Sequence, residues 1–266
     1  MPVRKDAAGN RSVEAQVDVP GTPQGVWNAI ATGPGISQWF VQSELEGRIG
    51  GTAVSHFAAD GSMDSVATIT AWEPPRRFVA EAPGEPGTVA TEWIVEAKSG
   101  GLCSVRVVHR WFATSDDWDD QFEAHSYGWI SFFRLLRLYL THFPGQHGSA
   151  FQLLVPSSEP LADAWRKLVK PLGLVNATEQ QRVTPPDTQA FEGVVERAGP
   201  QDHPELVVRL DQPAPGFAHL FALPIGGMTY LSARFFLFGD DAASIAKREE
   251  PKWRTWLQKH FPTPAE

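Results

Sequence analysis

Polar and apolar residues alternate from Val13 to Val19 before Pro20, Gly21 and Pro23, and this period of two predicts a strand running into a turn. A helical stretch follows from about Thr22, with Pro23 tolerated in the first turn and Val26, Trp27 and Ile30 on one apolar face. Gly33-Pro34-Gly35 is expected to end it, and Ile36 to Phe40 to form a short second helix or turn. Strand-like runs then recur between turn signals: Thr52 to Ala58, Asp64 to Trp72, Arg77 to Ala82, Thr88 to Ala97 and Leu102 to Phe112. Even spacing and tight turns predict an antiparallel meander. From Gly128 the period changes. Trp129, Phe132, Phe133, Leu136, Leu140 and Phe143 fall at helical spacing, with Arg134, Arg137 and Thr141 between them. Such a stripe has to be buried, and the meander is the available partner. His142-Phe143-Pro144-Gly145 closes the helix.

The second half repeats this order. Phe151 to Pro156 echoes Ala15 to Pro20, and Trp165 takes the place of Trp27. Strand-like runs follow at Ala190 to Arg197, Leu206 to Leu210, Phe217 to Leu223 and Met228 to Phe238. A last helix carries Trp253, Trp256 and Leu257 and closes on His260-Phe261-Pro262. Val175 to Asp187 reads as an irregular loop, because Pro185-Pro186 blocks regular structure. The expected organisation is a disordered tail over 1–12, one sheet-and-helix domain over 13–145, and a second, shortened copy over 146–266.

Composition narrows the function classes. Ten Trp and sixteen Phe against three Met predict aromatic-rich interiors, and large rings also line cavities. A net charge of −8 with no Lys/Arg stripe argues against nucleic acid as a partner. Cys103 is the only cysteine, so no intrachain disulfide forms and a reducing, cytoplasmic location is the natural expectation. Met1 to Ser12 lacks the apolar core of a secretory signal, and Ile130 to Phe143, interrupted by Arg134 and Arg137, is too short to span a membrane. No membrane insertion is expected.

Pro20 with Val26-Trp27 and Ile30, then Trp39-Phe40, then Gly47-Arg48-Ile49-Gly50-Gly51, together resemble the START-like (SRPBCC, helix-grip) superfamily. Ala71 to Phe78, Thr91-Glu92-Trp93, Gly100 to Val105 and Gly128-Trp129 are similar to the branch named for the activator of the ninety-kilodalton heat-shock ATPase. The resemblance covers about Val13 to Phe143. The second half shares it only through the repeat, and lacks an equivalent of Trp39-Phe40. The implied fold class is α+β: a curved antiparallel sheet wrapped around a long C-terminal helix, twice in tandem. Members hold apolar molecules between sheet and helix, act as cyclases or similar enzymes, or contact chaperones, and fold alone does not choose among these.

The strand Leu102 to Phe112 places Cys103, Val105, Val107, His109 and Trp111 on one face, toward the long helix. His109 is the weak catalytic candidate, able to orient a ligand or to act as an acid or base. With it, Trp39, Phe40, His56, Trp72, Trp93, Trp111, Trp129 and Phe133 form the expected ligand-lining set, although core packing alone explains each ring. Asp116-Asp117-Trp118-Asp119-Asp120 matches no metal-loop spacing and reads as a loop approaching a helix N-terminus. No zinc pair, nucleophile elbow, phosphate loop or dinucleotide fingerprint is present, so no metal and no cofactor is expected. The leading reading is a non-enzymatic domain for a small apolar or amphipathic ligand. The alternatives are a cyclase- or hydrolase-type enzyme using the same cavity, or a chaperone-associated interaction module with a protein partner on the second domain.

Overall fold

The chain was analysed as a computed structural model, which describes residues 3–5, 10–58, 61–83, 87–112, 119–184 and 191–262. It divides into two compact units, Met1–Gly145 and Gln146–Glu266.

The first unit begins with β1 (Arg4–Lys5) and β2 (Asn10–Pro20), so part of the segment expected to be a tail is strand: Arg4 pairs Ser12 and Lys5 pairs Arg11. The alternation that marks β2 therefore starts three residues before Val13. Helix α1 (Pro23–Ile30) is capped by Thr22, whose hydroxyl accepts from the Gly25 amide at 3.1 Å. Gly33-Pro34-Gly35 does not merely stop α1. It forms the short α2 (Gly33–Ile36), because Pro34 sits in a first turn where its missing N–H costs nothing and Thr32 supplies the cap to Gly35 at 3.0 Å.

The meander then runs through β3 (Ser43–Leu45), β4 (Thr52–His56), β5 (Asp64–Glu73), β6 (Arg77–Ala82), β7 (Val89–Ala97) and β8 (Leu102–Phe112). Every described pairing is antiparallel, in the order β1-β2-β8-β7-β6-β5-β4-β3. The first long strand thus lies beside the last. Helix α3 (Asp119–His142) follows, starting before the expected Gly128, and packs along β2. Of the acidic run, 116–118 lie outside the described residues, while Asp119 and Asp120 open the helix. Phe133, Leu135, Leu136, Tyr139, Leu140 and Phe143 are all buried, as the helical stripe requires.

The second unit has the same order of parts. Strand β9 (Ser149–Ser157) leads to α4 (Leu161–Val169), then β10 (Arg182–Val183), β11 (Glu192–Ala198), β12 (Glu205–Gln212), β13 (Gly216–Ile225) and β14 (Met228–Leu237), and α5 (Ala242–His260) ends it. Its sheet order is β10-β11-β12-β13-β14-β9, again with the first strand beside the last. The short β10 lies inside the stretch expected to be an irregular loop, and 185–190 lie outside the described residues.

One face of this sheet, with Leu206, Val208, Leu220, Ala233, Phe235 and Leu153, packs against α4 and against Trp253, Trp256 and Leu257 of α5. The two units are both α+β, antiparallel sheets with a long C-terminal helix, and fit a tandem repeat. The opposite face of the second sheet carries Glu205, His219 and Arg234 in buried positions, and burial pushes the Arg234 guanidinium down to about 9. No described helix is long and apolar enough to cross a membrane.

Candidate functional site

Register decides what the inner face of the first sheet presents. Phe78 pairs Trp93, Trp93 pairs Val107, and Val107 pairs Ala15, which makes one cross-strand row facing α3. The next row is Ala80, Thr91, His109 and Val13. On the expected inward face of β8, Cys103, Val105, Val107 and Trp111 are buried, and on the other face so are Ser104 and Val108. Cys103 is fully buried, burial pushes its thiol up, and its Sγ lies 3.3 Å from the Gly21 carbonyl, where it donates.

His109 is half-buried and held on both ring nitrogens. The Trp129 indole N–H, a donor only, bonds Nε2, and the Thr91 hydroxyl lies 3.0 Å from Nδ1. A donor at Nε2 requires a lone pair there. In the tautomer that fits this contact, the ring proton sits on Nδ1 and faces the Thr91 oxygen.

Around His109 the rings close into a network. Trp129 stacks on Phe40 at 5.3 Å and 8°, meets Trp93 edge-on at 5.0 Å, and lies 5.7 Å from Phe133. Trp93 also meets Trp39 at 6.3 Å and Phe133 at 6.1 Å. Trp39 is completely buried and its indole donates to the Ala29 carbonyl at 2.9 Å, which ties the segment after α2 back to α1.

The structure brings together Trp39, Phe40, Trp93, His109, Trp129 and Phe133 from the expected set. Trp72 joins at one remove, 5.0 Å from Trp27 and 5.6 Å from Phe78, and Phe78 stacks on Trp93. His56 has a different setting: it pairs Asp64 at 2.9 Å across β4 and β5 and lies 3.9 Å from Glu44.

Trp111 lies one pleat beyond His109, against Val13 with Val3 and Val89 around it. It also lines a cavity of about 470 Å³ with Arg4, Lys5, Asn10, Arg11, Ser12, Thr88 and Arg110. The sequence reading missed Phe78, Phe132 and Thr91 in the network, and every cation of this cavity. Thr91 and Arg11 are visible only once register is known, because each acts through the residue opposite it.

The first unit is an antiparallel sheet closed against one long C-terminal helix, with an aromatic layer between them. Residues 10–131 match the family model described as polyketide cyclase/dehydrase and lipid transport, so the resemblance noted in the sequence holds over that span. Solved structures of low identity share parts of the chain. CalU16 from Micromonospora echinospora is 19% identical, over 53% of this chain and 83% of its own, at a TM-score of 0.42. The Aha1 dimer from Colwellia psychrerythraea is 19% identical over 50% and 98%, at 0.42. DynU16, from the dynemicin biosynthetic locus, is 15% identical over 94% and 95%, at 0.43. Among curated proteins there is no match.

Proposed function

We propose that the first unit binds a small hydrophobic or amphipathic molecule between its sheet and α3, without converting it. The observation that carries this is the state of His109. A free general base needs an available lone pair, whereas the Nε2 lone pair of His109 is taken by Trp129 and its Nδ1 faces Thr91. It serves as a fixed polar point in an aromatic wall, the usual make-up of a site that orients an apolar ligand. The description of the matching family names lipid transport beside polyketide cyclase/dehydrase, and its lipid-transport part supports the binding half of this reading. In the structure these rings pack on one another, so a ligand enters by parting the Phe40–Trp129 stack, where the segment after α2 meets α3.

The test is native mass spectrometry of the purified full chain, followed by denaturation and extraction. The expected result is a stoichiometric apolar adduct, with lower occupancy in Trp129→Phe. That variant keeps a ring against Phe40 and loses only the bond to His109, worth about 1 kcal/mol. Phe133→Ala is less informative, since emptying so buried a position costs about 3–5 kcal/mol by itself. A clean apo mass together with no uptake of added oleate or naphthalene would overturn the reading.

A further inference from the structure

Within the ring layer of the first unit, one contact joins a group that can only donate to a group that can stop accepting. The Trp129 indole N–H is a donor in every state, and the His109 Nε2 that receives it accepts only while that nitrogen carries no proton. The other side of the imidazole is indifferent to this change. With the ring proton on Nδ1, the Thr91 oxygen at 3.0 Å faces an N–H, and it faces the same N–H after Nε2 is protonated. A proton arriving at Nε2 is therefore felt on the Trp129 side. The bond to the indole is lost, and two N–H groups are left pointing at each other.

What this bond fixes is the seating of the indole. Trp129 meets Phe40 at 5.3 Å, Trp93 at 5.0 Å, Phe132 at 6.0 Å and Phe133 at 5.7 Å, ring on ring. Ring contacts tolerate sliding and tilting, whereas a hydrogen bond holds one edge of the indole in one direction. Register sets the charges that a proton on His109 meets. Its own row, with Ala80, Thr91 and Val13, is uncharged. Arg11 and Lys5 stand on the same face in the next row, beside Trp111, while Glu14, Glu92, Arg106 and Arg110 are on the opposite face. The segment 36–42, which brings Phe40, has no charged side chain. On α3 the described charged side chains are Arg134, Arg137 and His142, each at least five residues past Trp129.

We propose that His109 and Trp129 form a proton-operated latch on the ligand site: neutral His109 holds the indole and keeps the ring layer closed, and a proton taken from solvent at Nε2 releases Trp129 and with it the bound molecule. This rests on the ligand-binding reading above and adds how that site is regulated. The link to the ligand is the Phe40–Trp129 stack, at 8° between planes, which is the place where the layer has to part. An indole that is no longer held at its N–H edge turns within that stack, and the wall that retains the ligand loses its order. Retention therefore belongs to neutral pH and release to acid.

The experiment follows the indole N–H signals of the isotopically labelled full chain by two-dimensional NMR from about pH 8 to pH 5, the interval in which imidazoles titrate. The Trp129 signal is the one missing from Trp129→Phe. In the parent it should move along a single-proton curve, and its exchange with water should end about fivefold faster than in His109→Gln at the same pH, as one lost hydrogen bond implies. His109→Gln offers an amide oxygen that accepts without titrating, so its Trp129 signal should stay in place. Affinity for naphthalene, a probe with no charge of its own, should fall about fivefold over the same interval in the parent and change by less than about twofold in His109→Gln. A Trp129 signal that does not titrate overturns the latch and leaves the ligand-binding reading standing. An equal shift in His109→Gln overturns it too, since another group would then be responsible. A released indole with unchanged naphthalene affinity overturns the link between latch and ligand. Absence of naphthalene binding at every pH overturns the ligand-binding reading, and this inference falls with it.

Discussion

Glu92 points away from α3, in the row Glu14, Val108, Glu92 and Val79, yet its side chain is only 7% exposed. Desolvation alone would push its carboxyl up, but the bonds from Arg77 and Arg110 outweigh that and hold it below the ordinary carboxylate range. A carboxylate depressed in this way stabilises the fold in full above its unfolded value of 4.5, and the contribution is lost as pH falls through the folded value. Glu92→Gln should therefore cost about 1–3 kcal/mol at neutral pH, a range discounted for the partial exposure of both arginines. The gap to the parent chain should close in acid, because the parent is then protonated too. Urea unfolding at both pH values checks this, and a gap of equal size in acid would rule out the charged pair as the cause. At this scale the sequence is a partial guide. Alternation is enough to place His109 on the inner face, but its partners Thr91 and Trp129 stand 18 residues before and 20 after it, and only the strand register and the seating of α3 bring them together.

Elements with a clear period are legible at full length, and those without one are not. Arg77–Ala82 and Leu102–Phe112 have the bounds that their turn signals predict, whereas β1, β3 and β10 span two or three residues and offer no period to read. Helix α3 begins at Asp119 because a helix continues through residues that carry no apolar stripe; the stripe marks only the part that must be buried. The corner between α1 and α2 shows how an element fixes the site. Thr32 bonds the Asn28 carbonyl at 2.7 Å and receives the Gly35 amide, and a Cβ at Gly35 would stand 1.9 Å from that carbonyl. Neither backbone atom can yield cheaply. Gly35→Ala should destabilise the first unit by about 1–3 kcal/mol or more and shift Trp39 and Phe40, which follow within five residues. Loss of near-ultraviolet circular dichroism ahead of far-ultraviolet signal would register that shift. A variant as stable as the parent, with unchanged aromatic signal, would mean the corner does not position the rings.

Over the whole molecule, the order strand, helix, strands, helix is readable twice because each unit has to bury a helical stripe against a sheet, and that need leaves the same two periods in both halves. The contrast of six strands with eight is not readable, since it depends on short edge strands.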